Sequence, residues 1–253
     1  DYGKAIKNAF YFGFRPKRWL PLFVTDLIFF SVLLYIALTN LGLLISVIEA
    51  SSNPAVLAEL TTVTFGIFSI FAVWFLAQLW IQGAIIHQSY KEKEFDKSWR
   101  VSYKKYPHQL AAVVIITIIS FLLSFAALIP IVGIIINVIT SMVIALVFFF
   151  ALQGIIIGNF SFIETLKQSW YIFREKPVQV LISWILVTIF GFLIVAAFSL
   201  PGVFLTFDIF LAMIAAGNSL PSLATLLGII ETNLLGVVSV GIIFLIGLAV
   251  SQV

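Results

Sequence analysis

The chain has 253 residues, 62% of them hydrophobic and only 10% charged, with a mean hydropathy of +1.17. That balance excludes an ordinary soluble globular domain, and the absence of cysteine excludes disulfides, thiolate catalysis, cysteine-held metals and palmitoylation. The net charge is +3 and the pI about 9.1, but the bases border apolar runs, so anionic lipid headgroups rather than nucleic acid are the expected counter-charge.

A first basic cluster, Lys4, Lys7, Arg15, Lys17 and Arg18, precedes an apolar run from about Leu20 to Leu44. About 20 apolar residues cross a bilayer, so this run predicts a first transmembrane helix; it is too long for a signal peptide and lacks a small-residue cleavage site. Glu49-Ala-Ser-Ser-Asn-Pro54 is turn-rich and predicts an outer loop, with Pro54 suited to open the next helix. The second span is predicted from about Thr62 to His87. A second cluster follows, Lys91, Lys93, Lys97, Arg100, Lys104 and Lys105, interleaved with Glu92, Glu94 and Asp96 as a self-neutralising loop. The third span is expected over Gln109 to Leu128 and the fourth over Ile131 to Ile157, joined by the short outer connection Ile129-Pro-Ile-Val-Gly133. After the third cluster, Lys167, Arg174 and Lys176, a fifth span runs from about Val178 to Leu200 and is expected to end at Pro201-Gly202. Residues 203–222 are apolar in part but too short to cross, which predicts an interfacial or re-entrant helix. A sixth span occupies Leu234 to Val250; no polar tail follows, and the native chain is expected to extend beyond Val253.

Six spans place all fourteen Lys and Arg residues on one side, with Glu49, Glu59, Asp208 and Glu231 on the other. Bases remain on the cytoplasmic side of a membrane, so the chain is expected to be multi-pass in the cell membrane with both termini cytoplasmic.

The three clusters belong to similar stretches: Ala5-Ile-Lys-Asn-Ala-Phe-Tyr-Phe-Gly-Phe-Arg-Pro16, Phe95-Asp-Lys-Ser-Trp-Arg-Val-Ser-Tyr-Lys-Lys-Tyr-Pro107 and Thr165-Leu-Lys-Gln-Ser-Trp-Tyr-Ile-Phe-Arg-Glu-Lys-Pro177. In each, a Lys precedes aromatics and a second base, and a Pro follows nine or ten residues later. At helical spacing the apolar and aromatic residues share a face: Ile6, Phe10 and Phe14; Phe95, Trp99, Tyr103 and Tyr106; Ile163, Leu166, Trp170 and Phe173. Such helices lie in the membrane interface, and each Pro is expected to end one and begin a transmembrane helix. The predicted fold is all-α: one transmembrane domain over 1–253, built from three interfacial-helix-plus-hairpin units (about 1–88, 89–159 and 160–253) around a pseudo-threefold axis.

Beyond Gln153-Gly-Ile-Ile-Ile-Gly158, the segment Glu164-Thr-Leu-Lys-Gln-Ser-Trp170 resembles an Ala-Leu-Lys-x-Ser-Trp interfacial helix, with Thr165 in place of the Ala. That pattern is similar to the membrane domain of glycerophosphoryl diester phosphodiesterases and its relatives, uncharacterised six-helix prokaryotic membrane proteins. The resemblance implies a fold with three interfacial-helix-plus-hairpin units. It implies no activity, because the phosphodiesterase chemistry belongs to a separate soluble barrel. Mitochondrial carriers share the geometry of three hairpins, but their Pro-x-acid-x-x-base signature is absent at Pro16, Pro107 and Pro177.

Ionisable and polar groups at membrane depth are the candidate functional residues. They are Asp26, about two turns into the first span; Gln78, Gln82 and His87 on the second; and Asn137 and Gln153 on the fourth, beside Thr140, Ser141 and Asn159. Each doubles as an interhelical hydrogen-bonding residue, and His87 falls at the inner boundary, where a solvated ring is expected. Headgroup candidates are Arg15, Lys17, Arg18, Lys104, Lys105, Arg174 and Lys176. The sequence holds no phosphate-binding glycine loop, serine-nucleophile motif or metal-ligand spacing, so neither an enzyme nor a cofactor is expected. The expected function is a non-enzymatic membrane protein that binds or organises lipids or a membrane-protein partner. The alternative is a small-molecule or ion transporter or channel with a path between the hairpins.

Overall fold

The computed structural model describes residues 2–40, 43, 54–92, 94–125, 132–215 and 234–253, and every regular element among them is helical. We label them α1 (Tyr2–Gly13), α2 (Pro16–Thr39), α3 (Pro54–Tyr90), α4 (Phe95–Ser124), α5 (Val132–Val147), α6 (Ala151–Ile156), α7 (Phe162–Glu175), α8 (Pro177–Ala215) and α9 (Leu234–Ser251). Five segments are long and apolar enough to cross a membrane: Pro16–Thr39, Val56–Tyr90, Phe95–Ser124, Ile135–Ile156 and Pro177–Pro201. The stretch Val238–Ser251 is apolar but shorter. A multi-pass helical membrane protein is the architecture these lengths describe, because helices satisfy their backbone groups internally where water is absent.

Prolines place several helix starts as expected. Pro16, Pro54 and Pro177 are the first residues of α2, α3 and α8, where the missing N–H costs nothing. Two other prolines do not act as predicted. Pro107 lies inside α4, so the second interfacial stretch and the third span form one continuous 30-residue helix. Pro107 cannot donate to the Tyr103 carbonyl four residues back; in the same turn Gln109 Nε2 lies 3.3 Å from the neighbouring Ser102 carbonyl. Pro201 likewise lies inside α8, which continues to Ala215 instead of ending at Pro201-Gly202. In an apolar run, losing one backbone bond costs less than exposing the several unpaired groups of a helix end. The predicted separate segment 203–222 is therefore helical with the fifth span as far as Ala215; its remainder, the Glu49–Asn53 loop, residues 129–131 and Glu231 lie outside the described residues.

Contacts divide the chain into two units, 1–67 with 189–253, and 68–188. In the first, α2 packs on α1 and on α9. The buried face of α2 carries Arg18, Leu22, Asp26 and Phe29, spaced at one helical turn. On α9, Gly247 lies so close to Phe198 of α8 that an added Cβ would come 2.6 Å from the ring carbon Cγ. Close approach through small residues is how membrane helices gain packing energy without a hydrophobic drive. In the second unit α4 packs against α5, α6 and α7, and α7 against α5 and α6.

Replacing Gly247 with Ala is expected to destabilise the protein by about 1–3 kcal/mol through overpacking against Phe198. Gly241→Ala on the same helix, where an added Cβ meets nothing within 4 Å, is expected to be neutral or stabilising. Thermal unfolding of the two variants in one detergent checks the contrast.

Candidate functional site

The predicted fourth span is broken. Its hydrogen-bond ladder changes at Phe148-Phe149-Phe150: the Ala151 N–H donates to the Phe148 carbonyl at 3.0 Å, three residues back rather than four. The Val147 carbonyl is thereby released from its usual partner, and Ser169 Oγ on α7 donates to it at 2.6 Å. A serine hydroxyl also joins α4 to the unbroken α3, where Ser102 Oγ donates to the Trp80 carbonyl at 2.6 Å. Donor and acceptor are 22 residues apart in both bonds.

The buried face of these helices is therefore a stripe of small hydroxyl residues. On α4 it carries Ser98 and Ser102, followed by Gln109 and Ala112, and on α7 it carries Thr165 and Ser169. Of the faces that sequence analysis singled out on α4 and α7, Tyr103, Ile163 and Trp170 are exposed, whereas Phe95, Trp99, Tyr106, Leu166 and Phe173 are half-buried. Exposed aromatics of this kind, with hydroxyls inward, suit a helix whose outer surface meets the bilayer interface.

The chain reverses between α6 and α7 through Gly158 and Asn159, the latter at φ 59°. Asparagine tolerates this left-handed conformation. Its Oδ1 accepts a hydrogen bond from Lys105 Nζ on α4. Ser161 then caps α7 in a capping box: its hydroxyl accepts from the Glu164 N–H, and its own N–H donates to Glu164 Oε2 at 2.9 Å. The Ser161 backbone and hydroxyl together hold the Glu164 carboxyl below its ordinary range.

These elements enclose a cleft of about 260 Å³ between α6 and α7. Ile157, Phe150, Phe160 and Ile172 form apolar walls, and Gln153, Gly154, Thr165 and Gln168 supply the polar and small positions. Thr165 is 1% exposed, yet its Oγ1 has no hydrogen-bond partner among the described residues, and neither has Gln153 Oε1. A buried hydroxyl without a partner costs about 1–3 kcal/mol, so each such group asks for an explanation.

The sequence candidates fall in different places. Gln153 lines the cleft, and Lys105 bonds Asn159, which lies in the chain between the lining residues Gly158 and Phe160. Gln78 is buried and Gln82 half-buried on α3, and Asn137 is half-buried on α5, away from the cleft lining. His87 is buried, not solvated, with Nδ1 2.8 Å from Ser98 Oγ. Because Ser98 Oγ donates to the Glu94 carbonyl at 2.7 Å, it accepts from His87, which places the imidazole proton on Nδ1. Asp26 and Arg18 are in the other unit. Asp26 is 1% exposed and Arg18 5%, and the Arg18 guanidinium carbon sits 3.5 Å from the Phe12 ring centroid, so Arg18 faces an aromatic ring rather than lipid headgroups. Arg15, Lys17, Lys104, Arg174 and Lys176 are exposed. Among the described residues no group of three His, Asp or Glu side chains is placed to hold a metal.

Sequence analysis missed Gly154, Thr165 and Ser169 as site residues. The available signal was the i, i+4 spacing of Ser98 with Ser102 and of Thr165 with Ser169, a polar stripe between the aromatic and basic faces. Comparison with protein-family models, curated proteins and solved structures finds no match for this chain.

Ser161→Ala removes the cap of α7 and is expected to cost about 1 kcal/mol, seen as faster amide exchange over the first turn of that helix. Because the Glu164 pKa is lowered in the folded protein, its contribution is present above the ordinary value of 4.5 and fades as pH falls below it. Wild-type α7 should therefore fray below that pH, while Glu164→Gln should show a much weaker pH dependence.

Proposed function

We propose that this is a non-enzymatic, six-span membrane protein of three interfacial-helix-plus-hairpin units, related to the phosphodiesterase membrane domains, whose cleft binds an anionic membrane lipid. The basic clusters and both termini face the cytoplasm of the cell. The observation that carries this reading is the cleft itself. Its walls are apolar, it is too small for a whole lipid and suits one segment of one, and a lysine is held at Asn159, next in the chain to the lining residues Gly158 and Phe160. Exposed Lys104, Arg174 and Lys176 belong to the same unit and add an anion-attracting surface at the level of the interfacial helices. The exposed Trp170 and Tyr171 beside the cleft supply interfacial anchoring.

Native mass spectrometry of the protein extracted with its surrounding membrane tests the reading. One lipid retained at fixed stoichiometry is expected, and both Gly154→Leu and Ile172→Trp, which fill the cleft from opposite walls, should release it. A bare wild-type protein, or occupancy unchanged in both variants, would overturn the proposal. The chain has no cysteine, so single cysteines report topology directly. Lys91→Cys and Lys176→Cys should react with an impermeant maleimide only from the cytoplasmic side, and Ser52→Cys only from outside; labelling of all three from one side would rule out the six-span arrangement.

A further inference from the structure

Two stretches of the chain pair a Gln-Gly with a later Ser-Trp at the same interval: Gln82-Gly83 with Ser98-Trp99, and Gln153-Gly154 with Ser169-Trp170. Beside Gly83 the chain fills the space itself. An added Cβ there would collide with Ser102 Oγ and lie 2.6 and 2.7 Å from the amide oxygen and nitrogen of Gln109. Gln109 is fully buried and its Nε2 lies 3.3 Å from the Ser102 carbonyl and 3.4 Å from its hydroxyl. It reaches that place because α4 runs unbroken through Pro107.

The counterpart of Pro107-His-Gln109 is Pro177-Val-Gln179, and Gln179 does not reach Gly154. The interval from Trp170 to Pro177 is one residue shorter than that from Trp99 to Pro107. One residue rotates a helical position by about 100°. The helix also stops at Lys176, which is extended away from helical geometry at φ −133°, ψ 53°. Gln179 is exposed as a result. Beside Gly154 the chain places Thr165 instead, whose Cγ2 and Oγ1 would each lie 3.2 Å from an added Cβ, and both residues line the cleft. Facing it are the buried Thr165 hydroxyl and Gln153 Oε1, each without a partner among the described residues.

We infer that a phospholipid headgroup hydroxyl enters the cleft, bonding to Thr165 and Gln153 while the lipid phosphate lies near Lys105. This rests on the lipid-binding reading above and specifies the lipid. A hydroxyl both donates and accepts, so it serves Gln153 Oε1, which only accepts, and Thr165 Oγ1, which does either. A bare phosphate oxygen only accepts and leaves Gln153 Oε1 unserved. An ammonium would carry a full charge into a cleft whose lining residues include no carboxylate, at a desolvation cost nothing there offsets.

The test compares phosphatidylglycerol with phosphatidylpropanol of the same acyl chains, which matches it in charge and size but has no headgroup hydroxyl, by native mass spectrometry of the delipidated protein titrated with each. Phosphatidylethanolamine is the third probe. Wild type is expected to favour phosphatidylglycerol by roughly three- to tenfold, the scale of one net hydrogen bond. Thr165→Val should remove that preference without reducing phosphatidylpropanol binding or the melting temperature, and Thr165→Ser should keep it. Equal binding of the two anionic lipids, with both still displaced by Gly154→Leu, would overturn the hydroxyl inference and leave the lipid site standing. Preference for phosphatidylethanolamine would also overturn it. Binding of no lipid in a cleft-dependent manner would overturn both.

Discussion

A backbone carbonyl released inside a membrane protein must find another donor, and at Val147 that donor is Ser169. The ladder of α5 tightens over Phe148 to Phe150, and the serine hydroxyl, itself buried on α7, takes the carbonyl that is set free. In water this exchange would be nearly neutral, since solvent competes for the carbonyl. Where solvent is absent, leaving the group unpaired costs several kcal/mol, so the bond fixes α7 against α5 in one register. Everything around the cleft follows from that register: the reversal at Asn159, the capped start of α7, and the placement of Thr165 against Gly154.

The serine bonds also decide which way the amphipathic stretches face. A hydroxyl stripe needs close approach to backbone, and Ser98, Ser102, Thr165 and Ser169 are small enough to permit it. Tyr103, Trp170 and Tyr171 of the same helices are then left on the outside, where their apolar rings and polar edges suit the boundary between headgroups and acyl chains. Packing and membrane anchoring are thus served by different faces of one short helix. Lipid recognition at the junction of those faces is the proposal that joins them.

Charge is handled differently in the unit formed by 1–67 and 189–253. Arg18 and Asp26 both lie on the buried face of α2, one above and one below Leu22. Arg18 closes a basic cluster in the sequence, yet its guanidinium lies over the Phe12 ring of α1. A guanidinium is weakly hydrated and planar, so an aromatic face accepts it at a smaller desolvation cost than an ammonium would incur. Lys17, its neighbour, stays exposed, as a compact and strongly hydrated charge should.

What the sequence determined by itself follows from periodicity and solvation. Runs of apolar residues bounded by Lys and Arg specify long helices at Pro16–Thr39, Val56–Tyr90 and Pro177–Pro201, because no other secondary structure hides its backbone in such a run. Pro16, Pro54 and Pro177 at first helical positions were legible for the same local reason, since the first turn needs no N–H. The fate of Pro107 and Pro201 was not legible. Whether a proline ends a helix or is absorbed depends on what packs around it, and next to Pro107 the Gln109 side chain is held between Ser102 and Gly83 of α3. The cleft was only half legible: Gln153 stood out as a polar residue in an apolar run, whereas Gly154, Thr165 and Ser169 matter through contacts between separate helices. Tertiary structure alone decided that Gly83 is packed by Ser102 and Gln109 and Gly154 by Thr165, because these contacts join separate helices.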